Sequence, residues 1–242
     1  MNIIPDIIVS WPRNNDYPLW RKFIKDNRTK FNEVIVVFTE TFQGDDYREF
    51  VRKAMFKEYV HFVDSPLPNA GEDWRDIAVN QALLHSYNAD WIWFTEQDFL
   101  ITDDKFWDFV YQEAGNGREV IGTMDGQRLH PCCIFIKREA LNKTRKNFGI
   151  IPGELDHFGL LQKDIDKLNL DKFLLTDGGQ FGYKHYNGLS QNWTLASRGE
   201  KPNYKIEEFI DYLEKCLKAE PEITLDERFK NVANSVITAY KR

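Results

Sequence analysis

Apolar residues along this chain follow two rhythms. Short continuous runs alternate with longer stretches in which apolar positions recur every three or four residues. The runs at 6–10, 33–39 and 60–64 have strand length and a β-branched composition. Between the first two, Pro18 opens a helix where its missing N–H costs nothing, and Leu19, Phe23 and Ile24 form the stripe. Between the second and third, 47–57 reads as a helix with Phe50, Val51, Ala54 and Met55 inward. Strand, helix, strand, helix, strand with short connections predicts a parallel sheet with right-handed crossovers.

A helix over 74–87, with Ile77, Ala78, Gln81, Leu83 and Leu84 to one side, leads into Trp91-Ile-Trp-Phe-Thr95. That run is apolar on both faces, which suits a central strand covered by helices on either side. Further on, the pattern predicts a helix over 104–114, strands over 119–123 and 132–137, helices over 138–143 and 160–168, and a strand over 172–176. The stretch 149–159 is punctuated by Gly and Pro and reads as a loop, and 177–193 is rich in Gly, aromatics and hydrogen-bonding side chains. In the tail, Ile206, Phe209, Ile210, Leu213 and Leu217 repeat at helix spacing. Thr224-Leu-Asp-Glu227 is a capping-box pattern opening a second helix with Leu225, Phe229, Val232, Val236 and Tyr240 inward. The expected organisation is an α/β domain over 1–200 and a helical pair over 201–242, packing on the domain or on a partner and offering a route to a homo-oligomer.

Composition narrows the picture only in places. A net charge of −6 advertises no nucleic-acid surface. Seven Trp in 242 residues suit sugar faces as well as cores. Cys132, Cys133 and Cys216 have neither metal spacing nor the count of a disulfide framework, no leader is evident at the start, and no apolar run nears the ~20 residues of a membrane span. A reducing cytoplasm is the expected compartment.

The chemistry gathers where the central strand ends. Glu96-Gln97-Asp98 places two carboxylates one residue apart at the carboxyl edge of the sheet, where open α/β folds bind ligands. Two hard oxygen ligands suit Mg²⁺ or Mn²⁺ shared with substrate phosphates, and the turn is expected to be exposed. His185 is a plausible third ligand, since imidazole completes many mixed oxygen and nitrogen sites. Arg75 and Asn80, early in their helix, could reach a nucleotide phosphate or ribose. The loop at 149–159 carries Glu154, Asp156 and His157 and could hold a carboxylate above a substrate. A solvated acidic turn, a hydrogen-bonded histidine and a solvated loop are the plainer readings of the same residues.

In this order the motifs resemble a GT-A-fold, nucleotide-sugar-dependent glycosyltransferase of the inverting, family-2-like type, over about residues 6–193. The resemblance implies a Rossmann-like, mixed but mostly parallel central sheet flanked by helices, with the C-terminal helices appended. It implies that Asp98 binds the metal and that Glu96, where the family typically has Asp, meets ribose or metal, with Gln97 between them. Ser10, with Trp11 and Asn14 after it, Glu40 and Asp64 match strand-end positions that hold base and ribose. Asn80 matches part of an Arg-Asn pair in which Val79 replaces the Arg, leaving Arg75 as a substitute. Glu154-Leu155-Asp156 resembles the motif that supplies the base of inverting members, Asp156 first and Glu154 in reserve. His185 matches a metal-ligand histidine. The implied partners are a nucleoside diphosphate sugar, Mn²⁺ or Mg²⁺, and a hydroxyl acceptor, a glycan or a modified nucleic-acid base. Two alternatives stand beside this reading. One is a non-catalytic nucleotide-sugar or glycan-binding protein on the same scaffold. The other is a sugar nucleotidyltransferase, which normally wants a Gly-rich loop after the first strand, whereas 10–16 has no Gly.

Overall fold

The structure is a computed structural model and describes residues 3–11, 15–38, 47–55, 58, 60–64, 74–125, 128–149, 151, 158–176 and 178–241, without the side chains of 74–76 and 125. Its centre is a seven-stranded sheet in the order β3 (Val60–Asp64), β2 (Val34–Phe38), β1 (Asp6–Trp11), β4 (Trp91–Glu96), β7 (Arg128–Lys137), β6 (Val120–Asp125), β8 (Lys172–Leu175). Every neighbouring pair is parallel except the two that β7 makes, so β7 alone runs against the rest. The expected mixed, mostly parallel sheet is therefore present.

Strand alternation sorts the core into two layers. Ile7, Val9 and Trp11 of β1 and Trp91 and Trp93 of β4 face one layer, with α1 (Pro18–Asn27), α2 (Arg48–Met55) and α4 (Lys105–Gly115). Ile8, Ile92 and Phe94 face the other, with α3 (Trp74–Leu83), α5 (Arg138–Lys143) and α6 (Gly159–Lys167). The buried face of α3 is Ala78, Val79 and Ala82; the predicted stripe is rotated, because Leu84 lies past the helix end and is 68% exposed. Small residues there let the helix lie close over β1 and β2.

The aromatic surplus goes into the first layer. Trp93 stacks on Phe135 at 4.9 Å and meets Phe99, Phe106 and Trp107 edge-on or tilted. Of the seven Trp, the six with described side chains are each at most 5% exposed, so these rings serve packing and not a sugar-stacking surface. Each large side chain so buried contributes roughly 1.5–3 kcal/mol.

The Gly- and aromatic-rich stretch 177–193, for which the pattern predicts no element, holds α7 (Gly178–Phe181), β9 (Tyr183–His185) and the start of α8 (Leu189–Ser197). β9 pairs antiparallel with β5 (Phe99–Ile101) in a separate two-stranded sheet. The tail forms α9 (Ile206–Lys218) and α10 (Glu227–Tyr240). Phe229 stacks on Trp193 at 4.7 Å, Tyr186 meets Tyr212 at 5.2 Å, and Arg21 donates to the Thr224 carbonyl, so both helices share the first core layer. The cap of α10 is Asp226, not Thr224: its carboxylate accepts the Arg228 and Phe229 amides, two residues later than the capping-box pattern suggested.

Candidate active site

The end of β4 and the two-stranded sheet bring distant residues together. β4 ends at Glu96, Gln97 and Asp98 make a turn, and β5 starts at Phe99. Phe99 pairs with His185, and the Tyr186 amide donates to the Asp98 carbonyl at 2.9 Å. This pairing fixes His185 Nε2 3.5 Å from Asp98 Oδ1. One ligand atom each from Glu96, Asp98 and His185 lies within 4.8 Å of the others.

The turn is not exposed as expected: Gln97 is 4% and Asp98 7% exposed. Asp98 Oδ1 is buried without a hydrogen-bond partner, and 3.5 Å to His185 is too long for a good one. A carboxylate oxygen in that state is costly unless something positive completes it. Hard oxygen donors with one imidazole form a donor set that fits Mn²⁺ or Mg²⁺. Burial pulls the His185 pKa down, but the adjacent Asp98 carboxylate and the charge of Glu96 outweigh it, so the net shift is upward; Lys205 opposes them.

A second group of donors adjoins the first. His130, Cys132 and His185 also offer ligand atoms within 4.8 Å of one another, and the two imidazole rings are 5.0 Å apart. An irregularity in β7 puts them there. Gly122 pairs with Ile134 and Met124 with Leu129, so His130, Pro131, Cys132 and Cys133 all stand opposite the single β6 residue Thr123. Bulges re-aim side chains next to sites. Gly122 permits this one, since a Cβ there would meet Leu129 Cδ1 at 2.5 Å and the Cys133 carbonyl at 2.9 Å. Thr95 Oγ1 donates to the Cys132 carbonyl at 2.9 Å, and the Cys132 amide donates to His130 Nδ1 at 3.1 Å. Burial pushes the Cys132 thiol up. Sequence spacing could not reveal this group, because it depends on the bulge and on β9. The local signals are Gly122 and Pro131, the latter a residue that interrupts regular strand pairing.

The other expected site residues divide. Ser10, Val79, Phe94, Glu96, Pro131 and Phe158 border a small pocket at the carboxyl ends of β1 and β4. Trp11 is corrected to a core residue: strand alternation turns it into the first layer, where it is fully buried against Tyr17 and Trp20 and donates to the Asn15 carbonyl. Gln97 lies behind the turn, its amide 3.4 Å from Ser190 Oγ, which also meets the Tyr17 hydroxyl at 2.8 Å. Asp64 is paired with Arg52 at 2.9 Å and Arg48 at 3.5 Å. Asn80 donates to the Lys146 carbonyl at 3.1 Å. Asn14, Glu40, Glu154, Asp156 and His157, and the side chain of Arg75, lie outside the described residues.

At the level of sequence, no protein-family model matches the chain and no characterised protein does either. Solved structures do match its fold. A mannosyltransferase from Pyrobaculum calidifontis in complex with GDP-Man and Mn²⁺ is 15% identical with a TM-score of 0.54, over 98% of this chain and 70% of that one. The glucosyl-3-phosphoglycerate synthase of Mycobacterium tuberculosis, in complex with Mn²⁺, UDP-Glc and phosphoglyceric acid, is 15% identical with a TM-score of 0.51, over 88% and 80%. The 1–349 portion of S. aureus TarS is 15% identical with a TM-score of 0.51, over 99% and 73%. Among the described residues no helix is long and apolar enough to cross a membrane. The chain thus has the GT-A fold shared by these glycosyltransferase structures.

Proposed function

We propose that this chain is a metal-dependent glycosyltransferase that moves a sugar from a nucleoside diphosphate sugar to an acceptor hydroxyl with inversion. The observation that carries the reading is Asp98 Oδ1, buried without a hydrogen bond between Glu96 and His185 at the edge where the fold binds ligands. Two of the structural neighbours hold a sugar nucleotide together with Mn²⁺. In this chain Glu96, Asp98 and His185 would hold Mn²⁺ or Mg²⁺, which when bound supplies positive charge against a leaving diphosphate.

The remaining roles belong to side chains. Ser10 and Glu96 border the pocket and are placed to accept the nucleoside end of the donor. Asp156 takes the proton of the acceptor hydroxyl, with Glu154 as second choice. Supporting this, Phe158 at the described end of that loop packs on Phe94 at 5.2 Å and lines the same pocket as Glu96. A glycan is the preferred acceptor, and three free, buried cysteines suit a reducing cytoplasm.

The test is a pair of substitutions read against transfer with added Mn²⁺. Asp156→Asn keeps shape and removes basicity, so donor binding survives while turnover falls by roughly 10²–10⁴-fold. Glu154→Gln costs much less, and the product anomer is inverted. The reverse order, or a retained anomer, removes Asp156 from this role. The non-catalytic reading is favoured by one observation, apolar Val79 lining the pocket where the family Arg is expected; donor binding with neither transfer nor hydrolysis would establish it.

A further inference from the structure

The four donors around His185 form with it two sets of different chemistry. Glu96 and Asp98 with His185 give two oxygens and a nitrogen; His130 and Cys132 with His185 give two nitrogens and a sulfur. Hard cations take the first kind, and zinc and other thiophilic divalent ions take the second. We propose that the chain carries a second, overlapping metal site, His130–Cys132–His185, that selects Zn²⁺-like cations, and that its use of His185 makes it exclusive of Mn²⁺ at Glu96 and Asp98.

Three features support a built site. The β7 bulge inserts His130 and Cys132 against His185, and Pro131 between them restricts the backbone of His130. Cys132 is 1% exposed, with its carbonyl held by Thr95 and its sulfur 3.1 Å from Thr123 Oγ1, so the thiol is fixed and shielded from bulk oxidants. The ligand atoms lie within 4.8 Å of one another, and bonds of about 2.0 Å to nitrogen and 2.3 Å to sulfur need them roughly 3.5 Å apart, so tetrahedral zinc asks for an inward movement of at most about 1.3 Å. Zinc with three protein ligands keeps a fourth position for water. On binding, the S–H bond of Cys132 breaks, its electron pair goes to the metal, and the proton leaves to solvent. His130 gives up the hydrogen bond it accepts at Nδ1 from the Cys132 amide, whichever ring nitrogen it uses, which is a modest cost beside a metal–thiolate bond.

The site itself stands apart from the glycosyltransferase reading; only its competition with Mn²⁺ touches it. The metal-free full chain is titrated with Co²⁺, a coloured stand-in for zinc. A thiolate-to-cobalt charge-transfer band is expected, bleached by one equivalent of Zn²⁺, and lost in Cys132→Ser although Cys133 and Cys216 remain. Cys132→Ser and His130→Ala weaken Zn²⁺ at least tenfold and leave Mn²⁺ affinity within about threefold; Asp98→Asn weakens Mn²⁺ and keeps the band. Followed by electron paramagnetic resonance on the unmodified chain, one equivalent of Zn²⁺ releases bound Mn²⁺. Co²⁺ binding without the band, or Zn²⁺ and Mn²⁺ held together, overturns the proposal even if no variant folds. Absence of sugar transfer would overturn the functional reading alone, since the cobalt band decides the zinc site whether or not sugar is moved.

Discussion

Two buried aspartates lie at opposite ends of paired strands. Asp6 begins β1 and Asp98 follows the end of β4, with Asp6 opposite Ile92 and Ser10 opposite Glu96. Both are under 10% exposed. Asp6 is completed: Oδ1 accepts Asn32 Nδ2 at 2.7 Å and the Glu33 amide at 3.2 Å, and Oδ2 accepts Ser86 Oγ at 2.5 Å and Arg138 Nη2 at 3.0 Å. Those partners come from the approach to β2, the end of α3 and the start of α5, so one carboxylate ties the closed edge of the sheet together. Asp98 Oδ1 accepts no hydrogen bond and meets His185 Nε2 at 3.5 Å. A satisfied buried charge is structure; an unsatisfied one is held open for something the chain does not supply.

The comparison can be broken most severely at Asp6. Asp6→Ala leaves Asn32, the Glu33 amide and Ser86 without this acceptor and removes one of the partners of Arg138, and should cost about 3–5 kcal/mol in urea unfolding, at roughly 1–3 kcal/mol for each buried group left unsatisfied. A loss under about 1 kcal/mol would mean the network is worth no more than a surface pair. Next comes Asp98→Asn. It removes a buried charge that has no hydrogen bond at Oδ1, so the metal-free protein should change by less than about 1 kcal/mol or gain stability, while Mn²⁺ affinity falls at least roughly tenfold. His185→Ala should lose less affinity, being one ligand of several. Calorimetry of each variant with and without Mn²⁺ reads both effects, and a large stability loss in Asp98→Asn would show that this carboxylate, too, is structural.

The smallest expected effect is in pH. Since the folded pKa of His185 lies above its ordinary value, protonated His185 stabilises the metal-free protein at pH below the unfolded pKa, and that contribution disappears as pH rises through the folded one. Metal affinity runs the other way, because a ligand imidazole must be neutral. Thermal melts across that titration should slope downward with pH without metal and upward with Mn²⁺; parallel slopes would take His185 out of the metal site.

How much of this was legible beforehand differs between the same two regions. β1, β2 and β4 declare themselves, because each is a nearly continuous apolar run, and the acidic turn stands out by interrupting one. α1 is marked by Pro18, and α10 by a capping-box pattern that starts two residues before the Asp226 cap. β5 and β9 were invisible: three-residue strands carry no period, and Phe99-Leu-Ile101 reads as a continuation of β4. The pairing that brings His185 to Asp98 is long-range and leaves no local mark. Trp11 was misplaced for a simpler reason, since adjacency to Ser10 in sequence means opposite faces on a strand. His130 and Cys132 were hidden by a bulge whose trace is only Gly122 and Pro131.

The small β5–β9 sheet has a further consequence. Its three residue pairs close a loop of about 86 residues between Phe99 and His185. Long loops are where a clip adds most, and a short ladder is where a fold opens most readily on its own. A cation gripping Asp98 and His185 would be such a clip, because the two strands could not part without releasing it. The Tyr186 amide, which donates to the Asp98 carbonyl, is then a built-in gauge of occupancy. Its exchange with deuterium should slow when the ion enters, while amides in the middle of β1 keep their rate.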